Sequence, residues 1–336
     1  MVKPLEGMST IGMPRNNNLD ILRLLLSLQV VLIHMKDHLG LFVPSILSSF
    51  SGVPGFFFIS GMLVYVSCMR NPLSDYAKRR VARIFPGLFL VSLGALGYVL
   101  TTKGSTFFIE NFSTVVVWFF SQVTLGQAYN PSIFRDLGVG VVNGSLWTIT
   151  VEVLFYSLVP LLVVCQKNFR GFITCVTIFS LFAHFFLIEV EFAPIYRDKS
   201  IADFFALTPL YWGWMFGVGI LCSIYFEQIE KFVRRWFWLL LAAMMLMIFA
   251  DSPGIFETEG NQIGYVYFLI YALVIFWVAF CLPPIRLPFD ISYGVYLWHM
   301  IIINFAIDLR IQSASVVFLL ILIFGYISWT VERRFI

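Results

Sequence analysis

Apolar runs fill this chain, and polar residues interrupt them at intervals close to the thickness of a bilayer. A membrane-spanning helix needs about 20 consecutive apolar residues. Segments near that length recur at roughly 19–38, 51–69, 84–102, 145–165, 171–188, 204–222, 236–251, 263–281, 290–308 and 315–331. A weaker apolar stretch lies at 113–128. Residues that break helices fall where the runs stop, as at Pro72 and Pro283-Pro284, although Pro86 lies inside the third run. The pattern predicts an all-α polytopic membrane protein of about ten transmembrane helices.

Composition agrees: 60% of residues are hydrophobic and only 12% charged, against about 25% charged in an ordinary soluble domain. The net charge of +3 does not suggest nucleic acid, and the placement of the cations says more than their sum. If 113–128 does not cross, fifteen Lys and Arg fall on the side of the N-terminus and six on the other, with Arg23 inside a span. If it does cross, Lys167, Arg170, the Lys231–Arg235 cluster and Arg333-Arg334 all change sides. The positive-inside rule therefore predicts ten crossings, both termini cytoplasmic, and a re-entrant or interfacial segment near 113–128. The expected organisation is a cytoplasmic segment 1–18, a transmembrane domain 19–331 and a cytoplasmic tail 332–336. No small-residue cleavage site follows the first apolar run, which reads as a retained span. Five cysteines lie singly in or beside apolar runs and are expected to be buried free thiols. No internal repeat of the kind common in secondary transporters is visible.

A titratable side chain at membrane depth is unfavourable by about 2.5–3.5 kcal/mol and marks a functional position with a partner to be found. Arg23 and His34 share the first run. Eleven residues at 100° per step bring them within about 20° of one helix face, about 16 Å apart along the axis, the arginine near the cytoplasmic end. An arginine at the inner mouth suits an anionic donor, and a histidine further in suits a general base. Glu152, about 10 Å from the outer end of its span, reaches a similar depth and is placed to orient the imidazole. His299, near mid-span of the ninth crossing, is a candidate second catalytic or acceptor-binding group. Arg80 and Arg83 are helical neighbours on the cytoplasmic side, where guanidinium groups suit the phosphates of a nucleotide-like donor. Each of these has a structural counterpart: a snorkelling arginine, a buried histidine, an interhelical hydrogen bond, ordinary topology charge. No Walker loop, dinucleotide fingerprint, paired His/Cys metal spacing or Gly-x-Ser-x-Gly elbow occurs.

These residues fall in an order that resembles the acyltransferase-3 family of bacterial membrane acyltransferases over essentially the whole chain. The pieces are Leu19-Asp20 to Arg23 with His34; Gly55-Phe56-Phe57-Phe58-Ile59-Ser60-Gly61; Arg79 to Pro86; Leu146-Trp147 to Glu152 and Phe155-Tyr156; and Ile291-Ser292-Tyr293 to His299. The resemblance implies that His34 is essential for acyl transfer with Arg23 its companion, and that Arg80 and Arg83 engage the donor. It further implies a stand-alone O-acetyltransferase of the bacterial inner membrane, with no bound cofactor or metal. Acetyl-CoA or another acyl-CoA is the expected donor and a surface, secreted or lipid-linked glycan the expected acceptor. One departure, Leu26-Ser27-Leu28-Gln29, carries larger residues than many members have and predicts looser packing there. On this reading Ser60 and Tyr293 are candidate hydrogen-bond donors to the developing oxyanion. The 103–144 region with Trp118, Tyr129 and Trp147 is a candidate sugar platform. A proton-coupled glycan or lipid transporter, using the same Arg, His and Glu, is the alternative.

Overall fold

The computed structural model describes residues 13–14, 17–169, 171–188 and 205–335. Among them run eleven α-helices and no β-strand: α1 (Leu19–Leu39), α2 (Gly52–Arg70), α3 (Leu73–Glu110), α4 (Phe112–Leu125), α5 (Trp147–Asn168), α6 (Phe172–Ile188), α7 (Pro209–Ile224), α8 (Phe226–Ala250), α9 (Tyr265–Phe280), α10 (Ser292–Asp308) and α11 (Ala314–Glu332). Every apolar run read from the sequence is a helix. The main difference is α3, whose 38 residues begin at Leu73 and carry the Lys78–Arg83 cluster on the helix itself. Pro86 removes one backbone donor, yet the helix runs through it and changes direction only at Gly104, where φ is +82°. Lys3, Arg15, Arg170, Arg197 and Lys199, which entered the charge comparison, lie outside the described residues.

Five helical segments are long and apolar enough to cross a bilayer: α3, α5, α8, α11, and α2 with the turn before it. Their outward faces present Trp238, Leu246 and Phe249 on α8 and Leu319 and Ile323 on α11, all exposed; α6 adds Phe179 and Phe182. Exposing such a side chain to water is unfavourable by roughly 1.5–3 kcal/mol, so a belt of them requires lipid as the solvent. The chain is an integral membrane protein. All five cysteines are free thiols, as expected, but of the five only Cys222 is buried: Cys68, Cys165 and Cys281 are half-buried and Cys175 is exposed on α6.

The core is organised around α10, in which every residue from Gly294 to Asn304 is buried. It packs against α1, α3 and α11. Close approach to α11 depends on Gly294, because a Cβ there would lie 2.5 Å from the Gly325 carbonyl oxygen. A second close crossing joins α2 to α7 reciprocally: a Cβ on Gly61 would collide with the Phe216 carbonyl, and one on Gly219 with the Phe58 carbonyl. Small residues let helix backbones meet where hydrophobic driving force is absent. The looser packing expected around Leu26–Gln29 is not found. Gly52 of α2 sits directly on the Leu26 carbonyl, and Gln29 accepts the Gly52 N–H at 2.8 Å while donating to the Leu47 carbonyl at 3.2 Å. The longer side chain supplies the α2 N-terminus with a partner that a small residue could not reach.

The irregular backbone of 126–146 is held by side chains of α10. Asn304 donates to the carbonyls of Val141 and Val142 and accepts from the Val139 N–H, and Asn143 donates to the Leu297 carbonyl at 2.9 Å. Non-helical backbone is tolerated at membrane depth only when its polar groups are satisfied in this way.

The α2–α7 crossing gives a stability prediction. Gly61→Ala sets a methyl against a backbone carbonyl that cannot move aside, so we expect a loss of about 1–3 kcal/mol, read as a lowered melting temperature in detergent. A control at the exposed Gly97, where a Cβ meets nothing within 4 Å, should leave it unchanged.

Candidate active site

At one end of the bundle, arginines converge from two helices on a single carboxylate. Arg23 rises from the second turn of α1, and Arg80 and Arg83 are one turn apart on α3. Asp290, in the loop ahead of α10, lies 3.4 Å from Arg23 and 3.2 Å from Arg83 through the same oxygen. Its other oxygen accepts from the Ser292 N–H and hydroxyl, and Arg23 also pairs with Asp20. Burial pushes the Asp290 carboxyl up, but the two guanidinium groups more than offset it and hold it below the usual carboxylate range. Arg80 has no ion pair among the described residues. Its guanidinium lies over the rings of Tyr156, at 5.3 Å, and Tyr76, at 5.9 Å, and its Nε has no hydrogen-bond partner. These arginines with Arg70, Lys78 and Arg79 line an open vestibule of ≈ 890 Å³ with no acidic residue among the described residues of its wall.

The vestibule leads inward to a cavity of ≈ 100 Å³ that shares Arg23, Arg80 and Arg83 with it. Ser60, Glu152, Tyr156 and Tyr293 supply its polar wall. Glu152 accepts from the Ser60 hydroxyl at 3.2 Å and from the Tyr156 hydroxyl one turn further along α5. Tyr293 donates to the Ile84 carbonyl at 3.1 Å and offers its ring to Arg83, 5.3 Å away.

His34, eleven residues along α1 from Arg23, opens the other way. It lines two overlapping cavities, of ≈ 610 Å³ and ≈ 320 Å³, whose walls include Trp147, Glu259 and Asn261. Its Nδ1 is 2.7 Å from the Met300 sulfur, and its ring meets those of His299 at 5.1 Å and His38 at 5.8 Å, edge to face. His299 is fully buried, with Nδ1 2.6 Å from the Tyr296 carbonyl. A carbonyl only accepts, so that nitrogen carries the proton. Among the described residues no group of three His, Cys, Asp or Glu could hold a metal ion.

A family model described as an acyltransferase domain matches residues 16–331. The chain belongs to the acyltransferase-3 family. Relatives of this acyltransferase include nodulation protein 10 of Rhizobium leguminosarum bv. viciae, 28% identical over 86% of this chain and 83% of that protein. The O-acetyl transferase of Shigella phage Sf6 is 26% identical over 96% of this chain and 97% of its own length. O-acetyltransferase OatA of Staphylococcus aureus is 24% identical over 81% of this chain and 49% of that larger protein. No solved structure matches the chain.

Within this acyltransferase the expected residues gather into two groups. Arg23, Arg80, Arg83, Ser60, Glu152 and Tyr293 surround the inner cavity, while His34 and His299 meet each other beyond it. Glu152 does not orient His34: its carboxylate is engaged by Ser60 and Tyr156, on the far side of Tyr296 from the imidazole. The hydroxyl protons of Ser60 and Tyr293 are committed to Glu152 and to a backbone carbonyl. Of the expected sugar platform, Gly144 and Trp147 line the outer cavity, Trp147 paired with Trp212 at 5.1 Å. Trp118 is fully buried against Phe134 and Tyr129 is half-buried. Sequence reasoning missed Asp290, Tyr156, Tyr296 and His38. Two of them carried a signal: Tyr156 and His38 stand four residues from Glu152 and His34, the helical neighbour spacing. Asp290 immediately precedes the Ile291-Ser292-Tyr293 piece.

The Asp290 contacts predict a pH dependence. Because its folded pKa lies below the unfolded value of about 3.9, the stability it contributes is present above that value and lost as pH falls through the folded pKa. Asp290→Asn should lower stability by about 1–2 kcal/mol at neutral pH. Its melting temperature should converge with wild type as pH is lowered from about 6 toward 3.

Proposed function

We propose that this acyltransferase moves an acetyl group from cytoplasmic acetyl-CoA to a hydroxyl of a surface glycan or its lipid-linked precursor. The observation that carries the reading is the pair of unlike vestibules approaching α1 and α10 from opposite ends. One has only basic residues among its charged described walls and suits a polyanionic nucleotide thioester; the other is polar, walled by Trp147 and Trp212, and suits a sugar. The names of the phage and staphylococcal relatives, both O-acetyl transferases, support acetyl as the group transferred.

In this reading the chain makes ten crossings of the bacterial inner membrane, with both termini and the arginine vestibule cytoplasmic. The 14 residues of α4 reach about 21 Å, short of the roughly 30 Å of hydrocarbon, which supports an interfacial or re-entrant α4. Arg80, with only aromatic faces for neighbours, takes the first phosphate, and Arg79 and Arg83 flank it. The thioester arm extends into the inner cavity. From the opposite vestibule an acceptor hydroxyl approaches His34, whose imidazole removes its proton. The alkoxide adds to the thioester carbonyl, the C–S bond breaks, and the departing thiolate recovers a proton from the imidazolium. His299 is held against His34 through the bond from its Nδ1 to the Tyr296 carbonyl.

The test compares the surface glycan by mass spectrometry in host cells lacking the gene and complemented with wild type or His34→Ala at matched membrane abundance. Wild type should restore an acetyl increment and His34→Ala should reduce it by about 100-fold or more. Equal restoration by both removes His34 from the mechanism. In proteoliposomes, Arg80→Ala should raise KM for acetyl-CoA by roughly tenfold or more, as expected for losing one charge-assisted contact. An unchanged KM would move the donor elsewhere.

A further inference from the structure

The inner cavity and the outer vestibule are distinct cavities that meet at two shared wall residues. Val53 and Tyr296 line both compartments, and Ser60 and Glu152 lie on one side while His34 lies on the other. The residues that form this partition differ in how they are held. Val53 belongs to the first turn of α2, which is fixed to α1 through Gly52. Tyr296 instead reaches across from α10 to the start of α5 as a side chain. Its ring meets Phe56 edge to face at 5.6 Å. At its tip the hydroxyl donates to the Ser145 carbonyl at 3.1 Å and shares a 2.7 Å hydrogen bond with the Thr148 hydroxyl. Meanwhile its own carbonyl fixes His299, and His299 abuts His34.

We infer that Tyr296 is the gate between donor and acceptor: its side chain closes the passage from the inner cavity to His34, and must swing off Thr148 and Ser145 for the thioester to meet the imidazole. The inference rests on the acetyl-CoA reading above for its purpose and on the two cavities for its geometry. Ser145 is anchored independently of the tyrosine through Asn143, which donates to the Leu297 carbonyl and accepts from the Ser145 hydroxyl. Closed, the tyrosine keeps water of the outer vestibule from the thioester, so that acyl-CoA is not hydrolysed before an acceptor is present. Tyr296 is therefore a positioning residue. It acts on access to His34 through its side chain and on the orientation of His299 through its carbonyl, and it touches no reacting atom in the closed state.

The test reads access by side. His34→Cys is reconstituted in sealed proteoliposomes of known orientation and exposed to a membrane-impermeant maleimide from one face at a time. Modification of position 34 is followed by peptide mass spectrometry, so the native cysteines do not interfere. With Tyr296 intact, the introduced thiol should react from the His34 face only; with Tyr296→Ala added, it should react from the arginine face as well. Equal reaction from both faces with Tyr296 intact overturns the gate, as does unchanged exclusion from the arginine face in Tyr296→Ala. If Tyr296→Ala fails to accumulate, Thr148→Val, which removes the hydroxyl's partner at similar shape, carries the same test at smaller amplitude. A second arm measures acetyl-CoA hydrolysis without acceptor in protein that retains His34. Tyr296→Ala should raise it by about tenfold over wild type if water exclusion is the gate's purpose, and an unchanged rate overturns that purpose. Absence of any acetyl-CoA turnover by wild type, with or without glycan, sinks the transferase reading, while the maleimide result still decides the partition.

Discussion

A polar group inside a lipid-facing bundle has no water to fall back on, and every feature of this site follows from that. Two guanidinium groups at the mouth of the bundle share one carboxylate, Asp290, which is itself held by Ser292. Glu152 receives two hydroxyl groups. The third arginine, Arg80, is sandwiched by tyrosine rings, whose faces accept a cation without forming a fixed ion pair. Buried polar networks of this kind are stable only when each member is satisfied, which makes them rigid as well as polar. Within the site, satisfaction is incomplete at Arg80 Nε and His299 Nε2.

Rigidity also depends on how closely the helices approach. Gly294 on Gly325, and Gly61 and Gly219 on facing carbonyls, bring α10 to α11 and α2 to α7 with almost no intervening side chain. These contacts fix the two helices that flank the inner cavity, while Asn143 and Asn304 fix the irregular 126–146 backbone to α10. The start of α5, and with it Thr148 and Glu152, is therefore placed by the same helix that carries Tyr296 and His299. Donor side, acceptor side and partition are referred to one central element.

The helices were legible because their signal is length and hydropathy, which need no knowledge of neighbours. The Arg23–His34 face was legible too, since it depends only on the pitch of one helix. Partnership between helices was not. Glu152 and His34 have similar depths along their own axes, yet depth says nothing about azimuth, and Tyr296 stands between them. Trp118 was read as part of a sugar platform because its helix is largely apolar, so periodicity could not tell its buried side from its exposed side. Asp290 was passed over because it stands at the very edge of its apolar run, where a carboxylate is unremarkable until two arginines from distant helices arrive at it.

That arrival makes the three arginines of the inner mouth inequivalent, although the sequence presents them as one basic cluster. Arg23 and Arg83 lie more than two hundred residues from Asp290 in the chain, and bringing both to one oxygen ties the ends of α1, α3 and α10 together. Removing the carboxylate would leave two partly buried cations facing each other, an arrangement that electrostatics disfavours in a low-dielectric setting. Of these three, Arg23 and Arg83 are already paired with Asp290 and Arg80 is not. In the proposed reading the unpaired guanidinium sets where the anion docks, and the paired ones set the shape of the passage beyond it. Such a division lets the mouth attract a polyanion without holding it by every available charge, a requirement for any site that must release a product as anionic as its substrate.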